Sequence, residues 1–223
     1  MTAFLFCEII LSFSIFHFPR YKHTEQYQCV EDPAIIIKKY PSGYECINGE
    51  SGAFLKYNDV GLPGIYSMHR KKIAICGSSF IMGQLSADYL ASSLVQKSLD
   101  SLQKDISILN LGEGNYVPYR SFHRVEFYNK SFDFNYSELP GYRMSLYNFK
   151  NFYNNKFIVI NIGDDIKFNE ELYKLCREMT IPYFYKNLMN PQNRFNMYGH
   201  FNKRGNLELA RYIINVLKYK EII

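Results

Sequence analysis

Three short apolar runs, each closed by a glycine, constrain this chain more than any other feature. Ile73-Ala74-Ile75-Cys76 stops at Gly77, Ile106 to Leu111 at Gly112, and Phe157 to Ile162 at Gly163, with Pro182 to Tyr185 a weaker fourth run. Apolarity that is continuous rather than alternating marks strands covered on both faces. Between the runs, apolar residues fall at helical spacing: Leu90, Leu94 and Leu102, then Phe122 and Val125, then Leu172, Leu175, Cys176 and Met179, and finally Leu207, Ala210, Ile214 and Leu217. Asn169 followed by Glu170 and Glu171 reads as a helix start, with an N-cap and acids at the positive end of the dipole. Strands alternating with helices imply right-handed crossovers and an α/β fold around a parallel sheet. In such sheets the site lies at the carboxyl ends of the strands, which is where these glycines fall.

The rest of the chain is organised around that unit. With 223 residues, 47% of them apolar and 21% charged, it is neither disordered nor collagen-like and needs no disulfide scaffold. We divide it into an apolar segment at 1–20, an extended lead-in at 21–70 and an α/β domain at 71–223. Ala3 to Phe18 is almost wholly apolar but carries Glu8 and His17 and is short for a spanning helix. It reads either as a membrane anchor or as a buried helix. The lead-in is rich in Tyr, Gly and Pro, with turns expected at Pro41-Ser42-Gly43 and Pro63-Gly64. Lys and Arg exceed Asp and Glu by 26 − 21 = 5, with no run of five like charges, which speaks against a nucleic-acid partner. Five cysteines without a CxxC pair give no metal-ligand spacing, so no metal or organic cofactor is expected. Cys29 and Cys46 flank a polar segment and would pair only in an oxidising compartment.

Two positions carry chemistry. Gly77-Ser78-Ser79-Phe80 follows the first run directly, presenting a serine at a strand's carboxyl end just before a helix. Such a serine is either a nucleophile or simply an N-cap. A hydroxyl nucleophile needs a base. Of the five histidines only His200 sits in a tight polar loop, Tyr198 to Asn206, immediately before the last helix. His17, His23, His69 and His123 read as structural or solvated. Neither GxxxxGK[ST] nor GxGxxG occurs, which weakens the rival reading of a flavodoxin-like phosphate cradle at Ser78, Ser79 and Asn115.

The blocks ICGSSFIMG at 75–83, ILNLGEGNYVPYR at 108–120, VINIGDDI at 159–166 and YGHFNKRGN at 198–206 occur in the order found in one superfamily. The chain resembles the SGNH or GDSL-like hydrolases, in particular a bacterial branch with an N-terminal membrane segment, to which the leader and NDVGLPG at 58–64 are also similar. The resemblance implies a three-layer, flavodoxin-like α/β fold with a parallel central sheet. It implies that Ser79 attacks an ester carbonyl and that His200 takes and returns the proton. Ser78, Gly112, Gly114, Asn115, Asp164, Asp165 and Asn202 would shape the oxyanion or substrate site. The implied substrate is a small ester or acylated carbohydrate; residues 3–18 would give membrane association.

Four positions depart from the pattern. The family's acid two residues before the histidine is Tyr198, its oxyanion-donating Asn is Asp164, the first-block Asp is Ser78, and a second-block glycine is Asn115, with Gly114 displaced by one. An ionised carboxylate accepts hydrogen bonds and cannot donate one. A Ser-His dyad is retained where the full triad is not. The alternative is a degenerate member that keeps the fold and cleft and binds a glycan, or serves in assembly, without cleaving it.

Overall fold

The computed structural model describes residues 26–29, 36–40, 42–47, 52–67, 69, 71–112, 146–147, 150–151, 157–195 and 199–223. The apolar leader, Phe122 and Val125, Gly114, Asn115 and Tyr198 lie outside them. Among the described residues no helix is long and apolar enough to cross a membrane.

The four apolar runs become four strands. β5 (Lys71–Gly77) pairs in parallel with β6 (Ile106–Gly112), and β7 (Val159–Asn161) with β8 (Tyr183–Tyr185). The register of the first pair sets Gly77 opposite Gly112, so the segments leaving both strands start side by side. β6 is buried almost throughout, as two-faced cover requires. β5 is not: Ile73 and Ile75 turn to the core while Lys72 and Ala74 are exposed, so this strand is half-covered rather than buried.

Among the described residues, three helices of working length cover these strands: α2 (Ala91–Ser101), α3 (Ile166–Glu178) and α4 (Lys203–Tyr219); a single-turn helix, α1 (Ser79–Met82), follows β5. The main core joins Val95 and Leu99 of α2, Ile106 and Ile108 of β6, and Leu209, Ala210, Ile213 and Leu217 of α4. A second cluster sets Leu172 and Cys176 of α3 against Leu146 and Ile181. Burial pushes the Cys176 thiol up to about 11, so this cysteine is an inert core residue. Cys46 is a free thiol.

Two expected helix details are corrected. α3 is capped by Asp165, whose carboxylate accepts the Phe168 amide at 2.9 Å, and not by Asn169. Asn169 is drawn into tertiary contacts instead, its Oδ1 accepting from Asn161 at 3.1 Å and from the Tyr183 hydroxyl. In α4 the buried face runs through Leu209, Ile213 and Val216, while Leu207 is exposed.

The lead-in forms two antiparallel hairpins, β1 (Gln26–Cys29) with β2 (Ile36–Lys39) and β3 (Glu45–Ile47) with β4 (Phe54–Lys56). The Asn58–Gly64 loop closes on itself, Asn58 Oδ1 accepting the Val60 and Leu62 amides at 3.1 Å each. Ser93 of α2 then receives the Ile65 amide at 2.9 Å, fastening this loop to the α/β unit.

Among the described residues β6 pairs with no strand on the side away from β5, and a side chain closes that edge. Gln96, fully buried on α2, donates to the Ile106 carbonyl at 3.0 Å and accepts the Ile108 amide at 2.7 Å, as a neighbouring strand would. Gln96→Leu keeps the volume and orphans both backbone groups. At about 1–3 kcal/mol for each buried unsatisfied group, the expected loss is about 3 kcal/mol, measured as a shift in urea midpoint at unchanged slope.

Candidate active site

The strand-to-helix junction after β5 divides two tasks between two serines. Ser78 is the N-cap of α1, its hydroxyl oxygen accepting the Phe80 amide at 3.4 Å. Ser79 is thereby released from capping, and its Oγ lies 2.8 Å from His200 Nε2 across 121 residues of sequence. At that distance, with the imidazole proton on Nδ1, the Ser79 hydroxyl donates to Nε2, the arrangement a general base needs. The Ser79 amide opens α1 and has no acceptor among the described residues, so it is available to a developing oxyanion.

Local packing explains why α1 sits where it does. Asn110, buried in β6, donates to the Ile81 carbonyl at 3.0 Å and to Ser92 Oγ at 3.0 Å, and accepts the Gly112 amide at 3.1 Å. A Cβ on Gly112 would fall 2.1 Å from the Met82 nitrogen, so only glycine lets α1 lie against the end of β6.

His200 is held by its own loop. The Phe195 amide donates to the His200 carbonyl at 2.8 Å, the Asn202 amide to the Asn193 carbonyl at 2.9 Å, and Arg194 bridges Phe201 in antiparallel fashion. Asn202 caps α4 by accepting the Gly205 amide at 3.1 Å while its amide group donates to the Gln192 and Arg194 carbonyls at 2.9 and 3.0 Å. Gly205 is required here because a Cβ would fall 2.2 Å from the Asn193 carbonyl oxygen. Phe80 stacks obliquely on the imidazole, centroids 5.5 Å apart, and meets Phe201 edge-on at 4.8 Å. These two rings were not among the sequence candidates; their signal was adjacency, Phe80 following Ser79 and Phe201 following His200.

Asp164 is exposed between Gly163 and the α3 cap. The Asp165 carboxylate is engaged in that cap, which leaves it little freedom to orient an imidazole. Among the described residues no group of three His, Cys, Asp or Glu side chains is placed to hold a metal ion. A groove of about 500 Å³ lies against the histidine loop and includes neither dyad residue; it is lined by Ala53, Leu85, Ser86, Tyr89, Phe195 and the first residues of the α4 end, Asn202 to Arg204.

No protein-family model matches the chain, and no curated protein matches it. Solved structures do. The psychrotrophic esterase EstA from Pseudoalteromonas sp. superposes with a TM-score of 0.54 at 13% identity, covering 69% of this chain and 100% of that one. A lipolytic protein of the G-D-S-L family from Veillonella parvula gives 0.49 at 16% identity over 66% and 98% of the two chains. The SGNH-hydrolase family esterase AlinE4 gives 0.42 at 17% over 69% and 98%. The EstA superposition and the parallel strand pairs establish the fold as an α/β architecture shared with that esterase.

Proposed function

We propose that this chain is a serine-dependent esterase or acyl-transfer enzyme acting on O-acyl groups, O-acetyl foremost, of carbohydrate or cell-envelope material. The observation that carries the reading is the 2.8 Å approach of Ser79 Oγ to His200 Nε2. Ser79 Oγ attacks the ester carbonyl carbon as its proton passes to Nε2; the carbonyl oxygen takes the negative charge and is met by the Ser79 amide. Collapse breaks the bond to the alcohol oxygen, which leaves with the proton from Nε2. Water, or an acceptor hydroxyl, then repeats the sequence in reverse on the acyl-serine. The fold supports this reading, as do the Asn202 and Gly205 contacts that hold the histidine loop. Residues 3–18 would hold the domain at a membrane beside such substrates.

The direct test is covalent labelling by a fluorophosphonate, with the adduct mapped by peptide mass. Labelling at Ser79 supports the enzyme. Absence of an adduct, with glycan binding retained, would support the binding module instead.

Asp164 stands where the resemblance places an oxyanion donor, and a carboxylate there repels the charge that forms. Since one such donor is worth on the order of 10² to 10³ in turnover elsewhere, Asp164→Asn is expected to raise kcat by at least roughly tenfold at unchanged KM. An unchanged kcat would place this residue away from the reacting oxygen.

A further inference from the structure

The groove beside the dyad has a chemistry of its own. One wall is Leu85, Ser86 and Tyr89, on the segment that continues from the one carrying Ser79. The other is Phe195 and the Asn202-Lys203-Arg204 corner, continuing from the loop that carries His200. The two pieces of chain that carry the dyad thus also supply most of the groove, with Ala53 of the lead-in completing it, and Phe195 meets the histidine directly, its amide donating to the His200 carbonyl at 2.8 Å.

Its charge is one-sided. Lys203 and Arg204 both line it, both are exposed, and among the described residues no carboxylate pairs with either. Lys97, by contrast, pairs with Asp88 at 2.7 Å. Lys203 instead rests its ammonium 3.8 Å over the Tyr89 ring, which holds the cation against the opposite wall. Two cations without a carboxylate partner and the Ser86 hydroxyl are what an anionic sugar offers partners for: oxyanions to the cations and hydroxyls to the serine.

We propose that this groove binds an acidic glycan, so that the O-acyl substrate of the Ser79 site is borne on a chain carrying carboxylate or phosphate groups. The proposal deepens the esterase reading and rests on it for the word substrate, but the binding is measurable without turnover. Arg204 presents a planar fork suited to either oxyanion, and Lys203 a point charge, so the shared chemistry is an oxyanion beside a pyranose or polyol.

The test is calorimetric titration of the full chain at low salt with three probes: an oligogalacturonate, a glycerol-phosphate oligomer, and a neutral malto-oligosaccharide of matched length. At least one acidic probe is expected to bind about tenfold or more tighter than the neutral one, and which acid wins identifies carboxylate or phosphate as the source. Lys203→Gln with Arg204→Gln is expected to remove that preference, lowering acidic affinity about tenfold and flattening its salt dependence. A melting curve checks that the pair variant is folded; if it is not, Arg204→Gln alone is titrated against the same prediction. Equal affinity for neutral and acidic probes, no binding of either acid, or acidic affinity unmoved in the folded variant would overturn the proposal. Failure of Ser79 to take a fluorophosphonate while acidic binding persists would remove the esterase reading and leave the groove assignment standing.

Discussion

Ser79→Ala is expected to reduce hydrolysis of a chromogenic acetyl ester to the background rate, a loss of roughly 10⁴-fold or more if the wild-type dyad works at ordinary efficiency. The reason is local: Ser79 supplies the hydroxyl, while its neighbour Ser78 supplies the helix cap, so removing the former's Oγ leaves α1 intact. The melting temperature should therefore stay put. His200→Ala is expected to cost nearly as much, because residues acting as one unit do not contribute additively. Equal background rates from wild type and both variants would argue for a module that binds without cleaving.

Gly112→Ala should damage both stability and rate. The added methyl would lie 2.1 Å from the Met82 nitrogen and 2.7 Å from the Ile81 carbonyl carbon, both backbone atoms of α1 or its immediate frame. Backbone cannot rotate aside, so α1 must shift, at about 1–3 kcal/mol for overpacking. A displacement of the nucleophile by about 1 Å costs on the order of 10² in rate. The expected result is a melting temperature lower by about 5 °C and a kcat reduced by about a hundredfold. Gly77→Ala makes the control: its Cβ would meet the Ile81 side chain, at 2.5 Å from Cγ1, and a side chain can change rotamer. A Gly112 variant as mild as the Gly77 one would show that the end of β6 does not position the serine.

The strands were legible because continuous apolar runs ended by glycine leave few alternatives; β5 to β8 begin and end within a few residues of those runs. The helix starts were less so. Asn169 has the local look of a cap, but its amide is spent on Asn161 and Tyr183, a demand set by residues that no local window contains. The start of α2 carries no cap of its own at Leu90; Asn206, 115 residues later, accepts the Ala91 amide at 3.0 Å while donating to the Phe201 and Asn202 carbonyls. Nothing adjacent to Leu90 announces this. The convergence of Ser79 and His200 was legible only through the order of four blocks, since neither residue alone stood out from an N-cap or a solvated histidine. Asn110 did leave a trace, an amide inside a largely apolar strand, which a buried position must satisfy. Phe80 and Phe201 left none beyond their neighbours.

The bond from Asn206 to Ala91 ties the beginning of α2 to the same turn that carries His200. On a ribosome, the serine-bearing turn emerges well before the imbricated segment that completes it: 121 residues separate the dyad, roughly 6 to 24 s of translation at about 5–20 residues per second. During that interval the hydroxyl lacks its imidazole partner, and the first turn of α2 lacks the side chain that accepts its leading amide. In a nascent chain of this protein the contact between Ser79 and His200 and the closure of α2 thus arrive together, with one late stretch of polypeptide.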